Sequence, residues 1–425
     1  MEILALYSIF LQYPSVQTDT RKLQKGDLYF ALKGPSFNGN LFAKQALELG
    51  AAFAIIDEPA GFEDERLLYT DDVLITLQAL AKYHRQQFTI PFIAITGSNG
   101  KTTTKELVYE VLASTHKTYT TKGNLNNHIG IPLTILSVQK DAALAVIEMG
   151  ANHQKEIEGY CKYTLPTHGI ITNCGKAHLE GFGGVEGVKK GKGELYDYLR
   201  ANNGTVFLMN DYDYLVAMSK GISSVITYGT INADVVGVAE NKTELLQVAI
   251  QKGMEIEQIK TNLIGDYNLP NVLAAIAIGK YFNVPENKMQ QAISSYQPTN
   301  SRSQLISKGT NKVILDAYNA NPTSMRAAIE NIAAMSDDNK VLLIGGMMEL
   351  GDESLEEHTA MIRLINQYTW EAVVLVGGDF KKIEHPYLYF DTAVEAKEWL
   401  DKKAFENSIM LIKGSRSMQM EKVLE

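Results

Sequence analysis

Short apolar runs alternate with helical stretches along the first part of the chain. The runs LYFAL and AAFAII predict two strands, and the segment LFAKQALELG between them predicts a helix. A helical stretch, DVLITLQALAKYHRQQF, follows and ends before Pro91, because proline disfavours helix in the residue that precedes it. We therefore predict an N-terminal domain over residues 1–83. Its opening segment, MEILALYSIFLQYP, is expected to form an amphipathic helix and not a signal sequence, since it lacks a basic region.

A second block, residues 84–298, opens with the β-branched run FIAIT, which is typical of a buried parallel strand. The segment KTTTKELVYEVLAS then shows the helical spacing of Leu107, Val111 and Leu112. Alternating strands and helices imply a doubly wound α/β sheet. Further elements are predicted as strands at 143–150 (ALAVIEMG) and 168–175 (HGIITNCG) and as a helix at 185–199.

Four consecutive strand-like runs between residues 223 and 264 predict a small antiparallel patch on this central domain: SSVITYG, ADVVGVAE, ELLQVAI and EIEQIKTNLIG. The third block, residues 299–425, returns to the α/β alternation and is expected to be a separate Rossmann-like domain with a parallel sheet. Within it, Asn321-Pro322-Thr323 signals the start of a helix, because proline is tolerated in the first turn. The predicted fold class is thus α/β with three domains.

Composition limits the function classes. A chain of 425 residues with 45% apolar and 21% charged residues is expected to form two or three domains with proper cores. The formal charge of -9 argues against a nucleic acid or an anionic membrane as the main partner. Cys161 and Cys174 fit neither a zinc site nor a disulfide framework, and no run approaches the roughly 20 apolar residues of a membrane span. We expect a cytoplasmic protein without membrane insertion.

The stretch AITGSNGKTTT, residues 94–104, has the context of a phosphate-binding loop. A strand that enters a glycine-rich turn and leaves through a helix directs backbone N–H groups and the positive helix end at one point. Its spacing is shorter than the common GxxxxGK[ST], and a plain turn that caps a helix is the alternative. The candidate phosphate ligands are Gly97, Ser98, Asn99, Gly100, Lys101, Thr102 and Thr103, of which Lys101 offers a point charge and Thr102 a hydroxyl for Mg²⁺.

Two further candidates lie at the ends of predicted strands. Glu148 ends the run AVIE, and His178 follows the run HGIITNCG, so both are expected at the carboxyl edge of the sheet, where such folds bind ligands. A bound triphosphate needs hard oxygen ligands for its metal, which suits Glu148. Glu148 is alternatively an acid at a helix start, and His178 a structural histidine, since Mg²⁺ seldom takes imidazole. Taken alone, the basic cluster at 189–192 is typical of a solvated helix face.

Together these motifs resemble, in this order, those of the Mur ligases of peptidoglycan synthesis. The resemblance extends over nearly the whole chain, and the short TGxxGKT[ST] loop is that family's own variant. The matching strings are TGSNGKTTTKE, GNLNNHIGIP, IEMGAN, ITNCGKAHLEGFG, KGKGELY, GDYNLPNVLAA, LDAYNANPTSMRAA and LIKGSRSM. The segment TDTRKLQKGDLYFALKG resembles the UDP-binding N-terminal domain of the members that add the third residue and of those that add the terminal dipeptide.

The strings DAYNANPTSM, EMGANH and HLEGFGG resemble the branch that joins D-alanyl-D-alanine to UDP-N-acetylmuramoyl-tripeptide. The alternative within the family is the sibling that adds the third amino acid, whose Asn-Pro-Arg pattern is missing here. Folate polyglutamylation is disfavoured by the GDLYFALKG block, and a non-catalytic nucleotide-binding regulator would not need an acid, a histidine and a lysine at the site. The resemblance implies an ATP-dependent amide ligase that uses ATP and Mg²⁺, with the UDP-tripeptide and D-alanyl-D-alanine as partners, and nothing in it requires more than a monomer.

The resemblance also implies roles for particular residues. Lys101 and Thr102 match the phosphate lysine and the magnesium hydroxyl, and Glu148 and His178 match the metal-side residues. Lys192 matches a lysine that the family carries as a carbamate, which replaces the solvated-face interpretation. The other implied contacts are adenine for Asn268, ribose for Asp316, phosphates for Arg302, substrate for Asn126 and Asn127, and the UDP group for Thr20 and Arg21. The family usually has glycine before the arginine, where this chain has Ser301, and we expect the serine to restrict the hinge there.

Overall fold

The computed structural model describes residues 2–240, 244–299, 301–337 and 339–425. In these ranges the strands form three main β-sheets, of four, nine and six strands, and a separate two-stranded pair. The N-terminal sheet has four parallel strands in the order β1-β2-β5-β6, with a two-residue hairpin pair, β3 and β4, beside it. The predicted amphipathic helix at the start is confirmed as α1, which buries Leu6 and Phe10. The elements are α1 Ile3–Gln12, β1 Val16–Gln17, β2 Leu28–Phe30, β3 Lys33–Gly34, β4 Phe37–Asn38, α2 Ala43–Glu48, β5 Phe53–Ile56, β6 Leu67–Tyr69 and α3 Val73–Arg85.

The end of α3 is held by the next domain. Arg85 donates from Nε to Thr164 O at 3.0 Å and from Nη2 to Leu165 O at 3.0 Å, and its guanidinium carbon lies 3.9 Å from the centre of the Phe92 ring. His84 Nε2 is 2.8 Å from Val138 O. The last turn of α3 is therefore fixed to the central domain. The domain boundary at residue 83 stays a prediction.

The central sheet has nine strands in the order β15-β14-β13-β12-β11-β10-β7-β9-β8. Strand β7 is fully buried and lies between β10 and β9, parallel to both, with Ile95 opposite Glu148 and Thr96 opposite Ile171. The carboxyl ends of these three strands thus meet at the point where the strand order reverses, which is where such sheets bind ligands. The elements are β7 Phe92–Thr96, α4 Lys101–Ala113, β8 Thr118–Thr120, α5 Gly130–Leu136, β9 Leu144–Glu148, α6 Glu156–Thr164, β10 His168–Ile171, α7 Leu179–Phe182, α8 Val185–Ala201, β11 Thr205–Met209, α9 Asp213–Met218, β12 Ser224–Gly229, β13 Val235–Glu240, β14 Leu245–Lys252, β15 Gln258–Ile264, α10 Leu269–Tyr281 and α11 Glu286–Ser295.

The antiparallel patch is present but smaller than the sequence predicts. Strands β13, β14 and β15 pair antiparallel and extend the main sheet at one edge. The first of the four runs, SSVITYG, forms β12, which is parallel to both β11 and β13. Assigning it to the patch was wrong, because α9 carries the chain back along the sheet between β11 and β12, as parallel pairing requires.

The C-terminal sheet has six strands in the order β16-β17-β21-β18-β19-β20, all parallel except β16. Helix α12 begins where the sequence predicts: Asn321 is its N-cap and forms a capping box with Ser324, and Pro322 is its first residue. No helix in the described ranges is both long and apolar enough to cross a membrane. The elements are β16 Gln304–Lys308, β17 Asn311–Asp316, α12 Pro322–Ala334, β18 Lys340–Gly345, α13 Ser354–Ile365, β19 Ala372–Val376, β20 Leu388–Phe390, α14 Ala393–Lys403 and β21 Ile409–Lys413.

Candidate active site

The loop between β7 and α4 needs glycine at two positions. Gly97 has φ +143°, and a Cβ there would lie 2.0 Å from Thr172 Oγ1. Gly100 has φ +79° and is the N-cap of α4, and a Cβ would lie 2.6 Å from Asn271 Oδ1. The first N–H groups of α4 have no partner within the helix, so they and the positive helix end face whatever the loop binds. The plain-turn alternative explains the cap but not the close approach at both glycines.

Lys101, the first residue of α4, folds back over this turn. Its Nζ donates to Gly97 O at 2.7 Å and to Ser98 O at 3.2 Å. Burial lowers the pKa of Lys101, the negative charge of Glu148 opposes that shift, and Arg302 adds to it. The ammonium group is thus a point charge held against the turn that precedes the free helix end, where phosphate oxygens would bind.

Glu148 lies beside the loop with half of its carboxylate satisfied. Its Oε1 accepts from Thr102 Oγ1 at 3.1 Å and from Asn126 Nδ2 at 2.8 Å. Its Oε2 is buried and has no hydrogen-bond partner in the described part of the chain. A buried carboxylate oxygen without a donor is costly unless a cation is bound, so the residues present fit a divalent ion at this point.

That ion would also need ligands from outside the protein. Among the described residues there is no group of three or more His, Cys, Asp or Glu side chains that could hold a metal. Mg²⁺ is commonly bound through one or two carboxylates with waters and substrate phosphates as the other ligands. Glu148 and Thr102 next to a phosphate loop match that pattern.

Lys192 faces inward from α8, whereas Lys189 lies closer to the surface. Lys192 is 1% exposed, its Nζ donates to Ala151 O at 2.9 Å, and it lies 4.8 Å from the centre of the Phe182 ring. Burial, with a contribution from Lys101, lowers the pKa of Lys192 well below its usual value. Lys189 instead pairs with Glu186 at the surface, at 2.6 Å. The solvated-face interpretation therefore fits Lys189 and fails for Lys192.

His178 is positioned by the C-terminal domain. Its backbone is left-handed, with φ +53°, and its Nδ1 lies 2.6 Å from Oε2 of Glu349, which also has a positive φ, +62°. The histidine lowers the pKa of Glu349, against the opposing effect of burial. An isolated structural histidine would not need a partner from another domain, so this contact favours a role at the domain interface.

The three candidate nucleotide contacts each have a neighbour that holds the side chain. Asn268 accepts from Asn271 Nδ2 at 2.8 Å and donates to Ile264 O at 2.8 Å, which fixes its amide. The guanidinium carbon of Arg302 is 3.5 Å from the centre of the Tyr318 ring. Asp316 Oδ2 accepts from Lys413 Nζ at 2.6 Å. The first contact comes from the central domain and the other two come from the C-terminal domain.

One cavity, of about 1210 Å³, brings most of the predicted residues together between these two domains. Thr20, Arg21, Gly97 and Lys192 do not line it; Arg21 is exposed on the N-terminal domain and pairs with Asp19 at 2.8 Å. Asn127 lines the cavity, and its Oδ1 also accepts from the N–H of Gly130, the first residue of α5, at 2.9 Å. The predicted residues that line it are Ser98, Asn99, Gly100, Lys101, Thr102, Thr103, Asn126, Asn127, Glu148, His178, Asn268, Arg302 and Asp316.

Several C-terminal residues line the cavity without being candidates from the sequence, among them Asn321, Glu349 and Lys413. Lys413 had a usable signal in the sequence, because it ends a predicted strand, and the structure places it opposite Asp316 in the parallel register. Asn321 is predicted only as a helix start and Glu349 carries no signal, since their contacts at the site cross between domains.

Comparison of the sequence with models of known protein families identifies the family of this chain. Three family models match the chain: "Mur ligase family, catalytic domain" at residues 12–86, "Mur ligase middle domain" at 95–279 and "Mur ligase, glutamate ligase domain" at 301–416. The chain belongs to the Mur ligase family. The ATP-dependent ligase activity and the three-domain α/β fold predicted from the sequence of this Mur ligase are thereby confirmed.

Similar relatives and structures extend over nearly the whole chain. The Bacillus subtilis and Escherichia coli proteins named UDP-N-acetylmuramoyl-tripeptide--D-alanyl-D-alanine ligase are each 32% identical, and each alignment covers 96% of this Mur ligase and 92% of the relative. A crystal structure of MurF from Acinetobacter baumannii has a TM-score of 0.88 at 30% identity, covering 96% of this chain and 92% of that one. The MurF ligase from Thermotoga maritima in complex with ADP has a TM-score of 0.87 at 25% identity, covering 97% of both chains.

Proposed function

We propose that this Mur ligase joins D-alanyl-D-alanine to the terminal carboxylate of UDP-N-acetylmuramoyl-tripeptide, with ATP as the source of activation. The observation that carries the proposal is that the phosphate loop contacts Glu148 through Thr102, leaves Oε2 of Glu148 unpaired, and lines a cavity walled by the C-terminal domain. Relatives with that name align over nearly the full length, and the string DAYNANP forms part of the cavity wall, which supports the choice of branch.

The chemistry follows from the weakness of a carboxylate as an electrophile. Its oxygen attacks the γ-phosphorus of ATP, ADP leaves, and the product is an acyl phosphate with a good leaving group. The free amine of D-alanyl-D-alanine then attacks the acyl carbon, and inorganic phosphate leaves from the tetrahedral intermediate with loss of one proton from nitrogen. No protein nucleophile is needed, so the protein supplies position and electrostatic stabilisation.

The residues that would hold Mg²⁺ are Thr102, Glu148, His178 and Lys192. A bound divalent ion supplies positive charge that offsets the repulsion between the substrate carboxylate and the γ-phosphate. Lys101 contributes a further positive charge from the loop, and Glu148 has the free oxygen that a cation needs.

We propose that Lys192 acts as a carbamate. Its neutral amine would attack the carbon of CO₂, forming a C–N bond and releasing one proton, so that a cation becomes an oxygen ligand. Burial of Lys192 and its lowered pKa support this step, because only the neutral amine reacts.

The remaining ligands are assigned to the surrounding residues. We propose that Asn268 contacts adenine, Asp316 the ribose and Arg302 the phosphates. The amide of Asn126, which already reaches Glu148, and that of Asn127 would face the peptide end of the substrate. Thr20 and Arg21 would face its UDP end.

Three domains suit three ligands. We propose residues 1–83 for the UDP-substrate, 84–298 for ATP and 299–425 for most of the dipeptide, in a chain that works as a monomer. Docking of the C-terminal domain would exclude water, which otherwise hydrolyses the acyl phosphate. A reaction that consumes ATP and a UDP-linked precursor is expected in the cytoplasm.

Mass spectrometry of the products tests the proposed function. With ATP, Mg²⁺ and the UDP-tripeptide, D-alanyl-D-alanine should be incorporated as an intact dipeptide, while free D-alanine should not. A parallel reaction with the UDP-dipeptide and a panel of single amino acids tests the sibling ligase. Incorporation of a single third amino acid, with none of the dipeptide, would overturn the proposal.

A further inference from the structure

An amide pair joins the phosphate loop to the C-terminal domain. Asn321 Nδ2 donates to Asn99 Oδ1 at 2.7 Å, and Asn99 Nδ2 lies 3.5 Å from Asn321 Oδ1. Asn99 is in the turn before α4, whereas Asn321 begins α12 in the other domain. Both side chains line the cavity, so this contact links the two walls directly.

The orientation of Asn321 is determined by its own helix. Its Oδ1 accepts from Ser324 N at 3.0 Å, as an N-cap does, and its backbone N donates to Ser324 Oγ at 3.1 Å. With the carbonyl oxygen used for capping, the amide NH₂ is the group left to face the loop. Asn321 is 8% exposed, so this donor has little access to water.

The backbone of Asn99 is held from the opposite side by residues that follow β10. Its N–H donates to Asn173 Oδ1 at 3.0 Å, and its carbonyl accepts from Thr172 Oγ1 at 2.6 Å. The central domain thus holds the main chain of Asn99, while the C-terminal domain holds its side chain. Gly100 and Lys101 follow at once, so any change at Asn99 is transmitted to the phosphate-binding turn.

We propose that Asn321 is a positioning residue that acts through Asn99 to hold the phosphate loop in its binding conformation when the C-terminal domain is docked. The proposal rests on the proposed function, because it makes nucleotide use depend on the domain that carries the dipeptide. When the domain moves away, Asn99 loses its side-chain partner and the turn before Lys101 is held from one side only. One hydrogen bond of this kind corresponds to a factor of about five to ten in ATP binding.

A neighbouring contact provides the matched control. Thr323, two residues further along the chain, accepts with its Oγ1 from Lys176 N at 3.0 Å. This bond also joins the two domains, but it meets the segment after β10 and not the phosphate loop. Thr323→Val therefore loosens the interface without removing the partner of Asn99.

The test is a double-mutant cycle with Asn99→Ala and Asn321→Ser. Serine keeps the helix cap but is too short to reach Asn99, so the temperature of unfolding should stay within about 2 °C of wild type. Each single change should raise the Kd and KM for ATP about five- to tenfold and leave KM for the UDP-tripeptide unchanged. The double variant should match either single one, whereas the effects of Asn99→Ala and Thr323→Val should multiply.

The proposal is overturned if the effects of Asn99→Ala and Asn321→Ser on the Kd for ATP multiply in the double variant. It is also overturned if either single variant has the wild-type Kd. A loss confined to kcat with unchanged KM for ATP would overturn it too, since a smaller folded fraction gives that result. The Kd is measured calorimetrically with ATP and Mg²⁺ alone. Failure of the wild type to use D-alanyl-D-alanine would therefore count against the proposed function while the cycle still decides the role of Asn321.

Discussion

Thr102 and Glu148 share a hydrogen bond of 3.1 Å, from Thr102 Oγ1 to Glu148 Oε1, at the junction of the phosphate loop and the neighbouring strand. The same oxygen also accepts from Asn126, while Oε2 remains buried without a donor. The carboxylate is therefore oriented by neutral groups and keeps one oxygen for a cation. This arrangement fits a metal site next to the predicted phosphate loop.

Glu148→Gln removes the charge and keeps the shape. Glutamine can still accept from Thr102 and Asn126, so the fold should be retained, but its amide is a poor ligand for Mg²⁺. We expect kcat for phosphate release to fall about 10²- to 10³-fold, as when one electrostatic stabiliser is removed from an active site. The measurement is a titration with Mg²⁺ at saturating substrates, and turnover equal to wild type throughout would contradict the role of this carboxylate.

Lys192→Met should change how stability depends on pH. Burial lowers the pKa of Lys192 in the folded chain, so between the folded and unfolded pKa values the unfolded chain binds more protons. Wild-type stability therefore rises with pH in that window. The stability present above the unfolded pKa, where the lysine is neutral in both states, is lost as pH falls through the folded pKa. Methionine should stabilise the protein by about 1–3 kcal/mol, most at the acid end.

Urea unfolding in CO₂-depleted buffer at several pH values measures this difference. Equal pH slopes for the two proteins would argue against a buried, mostly neutral lysine. The same variant should nearly abolish ligation while ATP still binds, because the loop and Lys101 remain.

The parts that the sequence predicts well are those determined by local pattern. The run FIAIT and the helix after it are found as β7 and α4, and the capping signal at Asn321 as the start of α12. The edge strand β16 was missed, since its half-exposed residues carry a weak pattern. Strand β12 was misassigned because a strand's hydrophobic pattern does not specify the direction of its neighbour.

The site was predictable only as far as each residue followed a strand or a turn. Glu148 and the loop come from strands β9 and β7, which are paired in register, so their proximity follows from topology. The contacts of Asn99 with Asn321 and of His178 with Glu349 cross between domains. No periodicity in the chain encodes how two domains dock, and these contacts needed the structure.

Ser301→Gly tests the backbone next to Arg302. Ser301 has φ +54°, so this chain keeps a left-handed residue where the family usually has glycine. That conformation costs about 1–2 kcal/mol for a residue with a Cβ, while glycine adds about 0.4–1 kcal/mol of unfolded-state entropy. We expect Ser301→Gly to stabilise by up to about 1 kcal/mol.

Ser301→Val is the matched opposite, because a β-branched residue tolerates positive φ poorly. It should destabilise by about 1 kcal/mol or more and raise KM for ATP through displacement of Arg302. Denaturant unfolding and steady-state kinetics of both variants measure this, and equal stabilities would show that Ser301 carries no strain.

Lys413→Met tests how much the ion pair between Lys413 and Asp316, at the proposed ribose site, contributes to the free energy of unfolding. Lys413 is 1% exposed and its Nζ lies 2.6 Å from Asp316 Oδ2, so its loss leaves a partly buried carboxylate without a counter-ion. We expect a destabilisation of about 3 kcal/mol and weaker ADP binding. Adding Asp316→Asn should restore part of the stability without restoring affinity, as measured by unfolding and calorimetry. No recovery of stability in the double variant would mean that Lys413 stabilises the fold by packing.

We propose that the phosphate bound by the loop at residues 97–101 is transferred to a substrate carboxylate and not to water. This transfer is tested by labelling the terminal carboxylate of the UDP-tripeptide with ¹⁸O and measuring the mass of the phosphate released in the presence of D-alanyl-D-alanine. Transfer through an acyl phosphate moves one carboxylate oxygen into the released phosphate, so phosphate carrying a single ¹⁸O is the predicted result. Unlabelled phosphate, formed while the amide product accumulates, would contradict transfer to the carboxylate.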